Sequence, residues 1–189
     1  CVAASTDSAA AVERAAGALS APCGAARRVA GLSHDPISAA NPAGCAREVI
    51  EQSPAEPIDV LLASSHAALA RTRGVAMTIA SIGGDGHMRW VGVGNVDAHV
   101  LRSDGQRARR AASAVVYGGT LGYRLPAVRV STVELEPGDL VVMATDGIAP
   151  DFTEHVDLAD PLDRLVATIV ARSARPNDDA LVAAARYGG

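Results

Sequence analysis

The 189-residue chain carries 17 cationic and 21 anionic side chains, a formal net charge of −4 and only 3% aromatic residues. Every cation is an arginine. The absence of lysine excludes P-loop nucleotidases, protein kinases and pyridoxal or Schiff-base enzymes in their usual forms, because each needs a lysine amine at its site. The slight acidity argues against nucleic acid as the main partner, since phosphate backbones require a basic face.

The remaining composition is typical of one globular domain, with 49% hydrophobic and 20% charged residues. The three cysteines, Cys1, Cys23 and Cys45, show no C-x-x-C spacing, so neither a disulfide framework nor a zinc site is expected. No apolar run approaches the roughly 20 residues that span a bilayer, and no signal peptide is recognisable. We therefore expect a cytoplasmic protein without membrane contacts. The chain opens on Cys1 rather than methionine, as expected of a fragment or a processed product.

Hydrophobic periodicity predicts helices early in the chain and strands later. The early elements are a helix over 8–19 with Asp7 as its N-cap, a short strand over 28–32, a helix within 36–51 interrupted near Asn41-Pro42, and a helix over 58–71. The next are strands over 75–82, 88–93 and 96–102, which we predict to form an antiparallel meander. The last are strands over 128–135 and 140–144, helical segments near Phe152 and over 162–172, and a strand over 180–186.

Two strand ends carry carboxylates. Asp146 follows a buried apolar strand and precedes a glycine, an arrangement that presents an oxygen ligand to a hard cation. An ordinary Asp-Gly turn is an equally good interpretation of that position. Asn177, Asp178 and Asp179 precede the last strand, where adjacent acids need either a cation or solvent to screen them. A solvated loop is the simpler interpretation of this second cluster taken alone.

Other motifs favour structural roles. The segment 92–95 (GVGN) leads into a strand rather than a helix, so it predicts a tight connection and not a nucleotide-binding loop. The glycines of 118–123 allow close backbone approach without supplying chemistry. No G-x-S-x-G elbow appears, and the histidines lack metal-ligand spacing. The arginines at 107, 109 and 110 are typical of a solvated face, although a phosphoprotein could dock there.

Taken in chain order, five stretches resemble the protein phosphatase 2C-like (PPM-type) superfamily in its SpoIIE-like branch, and within it the RsbX-type serine phosphatases of bacterial stress response. They are HAALARTRGVAMTIASI (66–82), WVGVGNVDAHVLR (90–102), GGTLGYRLP (118–126), VELEPGDLVVMATDGI (133–148) and NDDALVAAAR (177–186). The resemblance implies an α+β fold in four αββα layers, two antiparallel sheets flanked by helices. It implies a single domain over 1–189 whose N-terminal third is divergent or truncated.

The resemblance also implies a function. Members of the family use a pair of Mn²⁺ or Mg²⁺ ions to activate a water that attacks phosphoserine or phosphothreonine directly. It carries the metal-binding aspartates onto Asp146 and Asp178 as catalytic residues, and more weakly onto Asp7. It places His34 near the site. The implied partner is a phosphorylated regulator of a sigma-factor pathway, an anti-sigma antagonist or a stressosome-like component.

The N-terminal third departs from the family pattern. The family's D-G-x-G-H-G motif matches 30–35 best, which puts Ala30 at the position of the aspartate that bridges both metals. Asp35 is the nearest carboxylate that could substitute for it. Three hypotheses therefore stay open: an active metal-dependent phosphatase, a pseudophosphatase that keeps the fold as a protein-binding module, and an unrelated small-molecule-binding α/β domain.

Overall fold

The computed structural model describes residues 2–3, 27–33, 42–53, 55–105 and 107–189, with the strand course alone for the first two ranges. The predicted helix over 8–19 lies outside the described residues. So do Asp7, His34 and Asp35.

Within the described ranges the chain forms ten strands, three α helices and one 3₁₀ helix. The strands are β1 (Val2–Ala3), β2 (Arg27–Ser33), β3 (Ala76–Ile82), β4 (His87–Val93), β5 (Asp97–Ser103), β6 (Ala108–Ser113), β7 (Val116–Tyr117), β8 (Ser131–Glu134), β9 (Leu140–Ala144) and β10 (Val182–Arg186). The helices are α1 (Pro42–Gln52), α2 (Ile58–Ala68) and α3 (Leu162–Ser173), and the 3₁₀ helix is Phe152–His155. No helix among these residues combines the length and apolar character that crossing a bilayer requires.

The strands form two sheets. The first has the order β1-β2-β3-β4-β7, with β8 paired to the other half of β4. The second has the order β10-β9-β5-β6 and is antiparallel throughout. Most pairs in the first sheet are antiparallel too; β1–β2 and β4–β7 are parallel. The predicted α+β class with two mainly antiparallel sheets is confirmed.

Clusters of buried apolar side chains show how the sheets and helices pack into layers. Met88 and Trp90 of β4 share one buried cluster with Met143 of β9, so the two sheets pack face to face. The outer face of the first sheet is covered by α1 and α2, whose buried residues cluster with those of β3 and β4. The outer face of the second sheet is covered by α3, which buries Leu165 and Ile169 at helical spacing. The result is the four-layer αββα arrangement that the resemblance implied.

The predicted meander is wrong at its third strand. β4 pairs with β3, but β5 pairs with β6 and β9 in the other sheet. The chain changes sheet at Gly94, which has a φ of 108° and no space for a side chain, because a Cβ there would lie 2.3 Å from the Cβ of Ala76. A glycine is thus required where the backbone leaves the first sheet.

One further strand prediction needs correction, and two strands, β6 and β7, were not predicted. The strand predicted over 128–135 is limited to β8, because Val128 and Val130 pack against the helix-side core without a strand partner. β7 is only two residues long, which is too short to show the alternation of apolar and polar residues that predicts a strand. β6 was missed because its sequence, ARRAAS, places exposed arginines where alternation would have placed apolar residues. The basic run at 107, 109 and 110 lies along this edge strand, away from the carboxylate-bearing strand ends.

A buried ion pair ties the turn before β9 to β5. Asp139 is 1% exposed, and both of its carboxylate oxygens accept from Arg102, Oδ1 from Nε at 2.8 Å and Oδ2 from Nη2 at 2.7 Å. Oδ2 also accepts the backbone N–H of Glu136 at 2.9 Å. The Glu136 carboxylate pairs with the same guanidinium but is 61% exposed. One arginine therefore has a buried partner and an exposed one.

We predict that Asp139→Asn lowers the free energy of unfolding by about 3 kcal/mol, because it leaves the partly buried guanidinium without its principal counter-charge. Glu136→Gln, the matched control on the same arginine, should cost less than about 1 kcal/mol, since solvent already screens that pair. Urea unfolding at neutral pH measures both. Equal losses in the two variants would contradict the assignment.

A buried histidine lies in the second sheet. His99 is 7% exposed, its Nδ1 is 2.9 Å from Ser113 Oγ, and its ring centroid is 5.5 Å from that of Phe152. Burial, and secondarily the positive charge of Arg110, lowers the pKa of His99 from 6.5 to about 4. The folded protein therefore holds this imidazole neutral at a pH where the unfolded chain would protonate it.

The unfolded chain binds more protons than the folded one between about pH 6.5 and pH 4, so the fold loses stability as the pH falls through that window. We expect a loss on the order of 1–2 kcal/mol attributable to His99. Urea unfolding at pH 7.0, 5.5 and 4.5 measures it. His99→Gln keeps a hydrogen-bonding side chain without a titrating proton, and its unfolding curve should depend less on pH than that of the parent. An unchanged pH dependence in this variant would refute the role of His99.

Candidate metal and phosphate site

Asp146 is presented by the pairing of β9 with β10. Ala144, the last residue of β9, has Val182 as its Cα partner, and the buried Thr145 continues the contact beyond the strands. The Thr145 N–H donates to the Leu181 carbonyl at 3.0 Å, and the Thr145 hydroxyl oxygen accepts the Leu181 N–H at 3.0 Å. Thr145 is thereby fixed on both its backbone and its side chain, and Asp146 emerges exposed at the end of the sheet.

Gly147 brings the second acidic cluster against the first. A Cβ on this residue would lie 2.2 Å from the Asp179 carbonyl oxygen and 2.7 Å from its carbon, so only a glycine fits between the two segments. The Gly147 carbonyl accepts the backbone N–H of Arg175 at 2.8 Å. The backbones of the loops that carry Asp146 and Asp179 are therefore in direct contact.

These loops form one side of an open cleft of about 880 Å³ at the end of both sheets. The first sheet contributes residues 73–76, 94–95 and 119–120, and the second contributes 146 and 176–179. Among the described residues that line the cleft, the charged ones are Arg73, Asp146, Asp178 and Asp179. The structure thus brings together Asp146 and Asp178, the two aspartates that the resemblance assigned to metal binding.

Asn95 is a site residue that the sequence did not reveal. Its Nδ2 donates to Oδ2 of Asp146 at 2.5 Å, across 51 positions of sequence. The segment 92–95 was predicted to be only a tight connection. The connection is real, but it also aims an amide at the aspartate from the opposite sheet. The sequence signal for Asn95 is its position as a polar residue immediately after Gly94. That position does not predict a hydrogen bond to a residue that follows another strand.

Asp178 is oriented by its own loop. Its Oδ1 accepts the backbone N–H of Asp179 at 3.0 Å. The Asp178 N–H points back to the Arg175 carbonyl at 3.4 Å. The loop is held by backbone contacts, and its two carboxylates are exposed to the cleft.

The donor chemistry of the cleft suits Mg²⁺ or Mn²⁺, which prefer carboxylate and carbonyl oxygens. The number of donors is smaller than a two-metal centre needs: within the part of the chain that the structure describes, no three His, Cys, Asp or Glu side chains form a potential metal cluster. Asp7, His34 and Asp35 are outside that part, and their assignment stays a prediction. Ala30 lies in the middle of β2, with Ile79 of β3 as its Cα partner.

We predict that Gly147→Ala lowers the free energy of unfolding by about 1–3 kcal/mol, because the added methyl group must push apart two backbones that already touch. Gly118→Ala is the control: a Cβ there meets nothing within 4 Å and the residue has no positive φ, so its effect should stay within about 0.5 kcal/mol. Chemical denaturation measures both variants. A Gly147→Ala protein as stable as Gly118→Ala would show that the two loops are not packed as described.

Solved structures share this fold. A chain from work on the bacterial stressosome, described as a modular system adapted to control secondary messenger signalling, is 24% identical with a TM-score of 0.69, over 88% of each chain. RsbX in complex with magnesium is 16% identical with a TM-score of 0.63, over 87% of this chain and 86% of that one. The Mycobacterium tuberculosis serine/threonine phosphatase PstP is 12% identical with a TM-score of 0.62, over 87% of this chain and 100% of that one.

No curated protein sequence is significantly similar to the chain. The sequence profile of the SpoIIE family, stage II sporulation protein E, matches residues 15–188. That match spans the strands β2 to β10, all three helices and every described residue that lines the cleft. The chain belongs to the SpoIIE family.

Proposed function

We propose that the chain is an RsbX-like, metal-dependent protein serine/threonine phosphatase domain, with Asp146 and Asp178 as its metal-binding carboxylates. The observation that carries the proposal is that these two aspartates, 32 positions apart by their numbering, line one cleft at the junction of the two sheets. The single domain is proposed to extend over residues 1–189.

The proposal gives a role to three residues of the cleft. Asp146 and Asp178 would hold Mn²⁺ or Mg²⁺, and Asn95 would keep the Asp146 carboxylate in a fixed orientation. A divalent cation bound there supplies a water activated for direct attack on a phosphomonoester. Because such chemistry needs carboxylates and not a lysine amine, a lysine-free chain can carry it out.

The proposed substrate is a phosphoserine or phosphothreonine on a cytoplasmic regulator of a bacterial sigma factor, an anti-sigma antagonist or a stressosome-like component. The similarity to a chain from the bacterial stressosome and to RsbX supports this choice of partner. The open form of the cleft supports a protein substrate, because a phosphorylated side chain on a folded partner can reach carboxylates that are themselves exposed.

We predict that the protein hydrolyses a phosphoserine peptide in the presence of Mn²⁺ and that Asp146→Asn reduces kcat/KM by at least about 100-fold, because a metal-binding carboxylate is lost. Asp151→Asn is the matched control, since Asp151 is exposed on the same loop but does not line the cleft. Phosphate release assays with and without a chelator measure both. Turnover that survives Asp146→Asn or the chelator would overturn the proposal.

A second candidate is a pseudophosphatase that keeps the fold and binds a phosphoprotein without turnover. It is favoured by the resemblance, which carries the bridging aspartate onto Ala30, and by the small number of metal donors in the described residues. Calorimetric titration with Mn²⁺ separates the two candidates, because the phosphatase requires binding and the pseudophosphatase does not. Activity gained in an Ala30→Asp variant of an inactive parent would identify the missing carboxylate as the cause.

A further inference from the structure

We propose that Thr78 is a positioning residue of the cleft, because its hydroxyl fixes the connection that holds the Asn95 amide against Asp146. The inference rests on the proposed function for the role of Asp146 in metal binding. It adds a residue of the first sheet that neither the resemblance nor the sequence motifs assigned. Thr78 lies within β3 and is not itself among the residues that line the cleft, so it acts through Asn95.

The Thr78 hydroxyl is a buried donor whose partner lies 18 positions further along the chain. The residue is 0% exposed, and its Oγ1 donates to the Val96 carbonyl at 2.7 Å. A buried hydroxyl and a buried carbonyl each cost free energy when they are left unpaired, so both groups favour this bond. The bond ties the middle of β3 to the residue that immediately follows Asn95.

Gly92 makes room for this bond, and Gly94 anchors the same segment on its other side. Gly92 of β4 is the Cα partner of Thr78, and a Cβ on it would lie 2.5 Å from the Thr78 hydroxyl oxygen. The Gly94 N–H donates to the Tyr117 carbonyl at 2.9 Å. The segment 92–95 therefore combines space for a hydroxyl with backbone anchors before and after Asn95.

The backbone register sets Asn95 opposite Asp146. Asp97, at the start of β5, is the Cα partner of Ala144, at the end of the antiparallel strand β9. Asn95 lies two residues before Asp97 and Asp146 lies two residues after Ala144, so the pair continues the same register, and Nδ2 donates to Oδ2 at 2.5 Å. Because the ladder ends at Asp97, the position of Asn95 depends on the bonds that hold its neighbours, among them that of Thr78.

The amide has a consequence for cation binding. An amide that donates to a carboxylate restricts its rotation and occupies one of its lone pairs, which leaves the others for a cation. Partners of this kind contribute on the order of 10-fold or more to the affinity of a site for its metal. Without the Thr78 hydroxyl, the Val96 carbonyl loses its donor and the Asn95 amide is free to move away from Asp146.

The test uses two substitutions of Thr78 that remove opposite parts of the side chain. Thr78→Val keeps the volume and removes the hydroxyl, whereas Thr78→Ser keeps the hydroxyl and removes the methyl group. A positioning role predicts that valine is the more damaging replacement, and a packing role predicts that serine is. Thr132→Val on β8 of the same sheet is the control, since Thr132 is exposed and does not line the cleft.

The direct readout is the side-chain amide of Asn95 in the NMR spectrum of the metal-free protein, where Asn95→Ser identifies its signals by their loss. We expect Thr78→Val to shift these signals toward those of a solvent-exposed asparagine and to speed their exchange with water. Thr78→Ser and Thr132→Val should leave the signals where they are in the parent. This measurement depends neither on a bound metal nor on turnover.

The second readout is the affinity for Mn²⁺, measured by calorimetry. We expect Thr78→Val to weaken Mn²⁺ binding on the order of 10-fold, and Thr78→Ser and Thr132→Val to leave it within about two-fold. Hydrolysis of a phosphoserine peptide at limiting Mn²⁺ should fall in parallel and recover when the metal is saturating.

Unchanged Asn95 signals in Thr78→Val overturn the inference, and so does an unchanged Mn²⁺ affinity when those signals have shifted. Mn²⁺ binding and peptide hydrolysis by the parent, together with either of these results, leave the proposed function standing. A parent that neither binds Mn²⁺ nor hydrolyses the peptide refutes the proposed function, and the Asn95 signals then still decide whether Thr78 positions the amide.

Discussion

Backbone contact between Gly147 and Asp179 is the constraint on which the cleft depends. The pairing of β9 with β10 runs to Ala144 and Val182, and Thr145 extends it by three hydrogen bonds beyond the last ladder pair. At Gly147, two positions further on, a side chain would clash, because the space for a Cβ is occupied by the Asp179 carbonyl. Two carboxylate-bearing loops are therefore held together by backbone packing, which acts against the mutual repulsion of their charges.

The cleft also requires that the two sheets meet at the end where Asp146 stands. Asp146 belongs to the second sheet, and the amide that holds its carboxylate, that of Asn95, stands where the chain leaves the first sheet at Gly94. At the cleft, this side-chain hydrogen bond spans the junction between the two sheets. The buried interface of Met88, Trp90 and Met143 sets the spacing of the sheets, so the core and the site share one geometry.

Sequence pattern predicted most elements because β3, β4 and β9 are short, mainly apolar runs and the buried residues of α3 recur at helical spacing. The pattern could not predict that the chain changes sheet after β4. A strand that continues the same sheet and a strand that crosses to the other sheet have the same local sequence pattern. At the cleft, the buried strand followed by Asp-Gly predicted that Asp146 would stand at a strand end, where the structure places it. Asn95 was not predicted, because a hydrogen bond across 51 residues depends on tertiary packing that leaves no periodic signal.

The formal charge of the described cleft residues determines how the cleft would interact with a phosphate group. The described lining residues carry three carboxylates and one guanidinium, a formal charge of −3 + 1 = −2. A phosphate dianion would be repelled by that balance, whereas one divalent cation brings the formal charge to zero and a second brings it to +2. Under the proposed function, affinity for a phosphomonoester would therefore increase with metal occupancy, because the described carboxylates alone repel it. A chain without lysine can meet this requirement, because the attraction would come from metal ions held by carboxylates and not from a lysine amine.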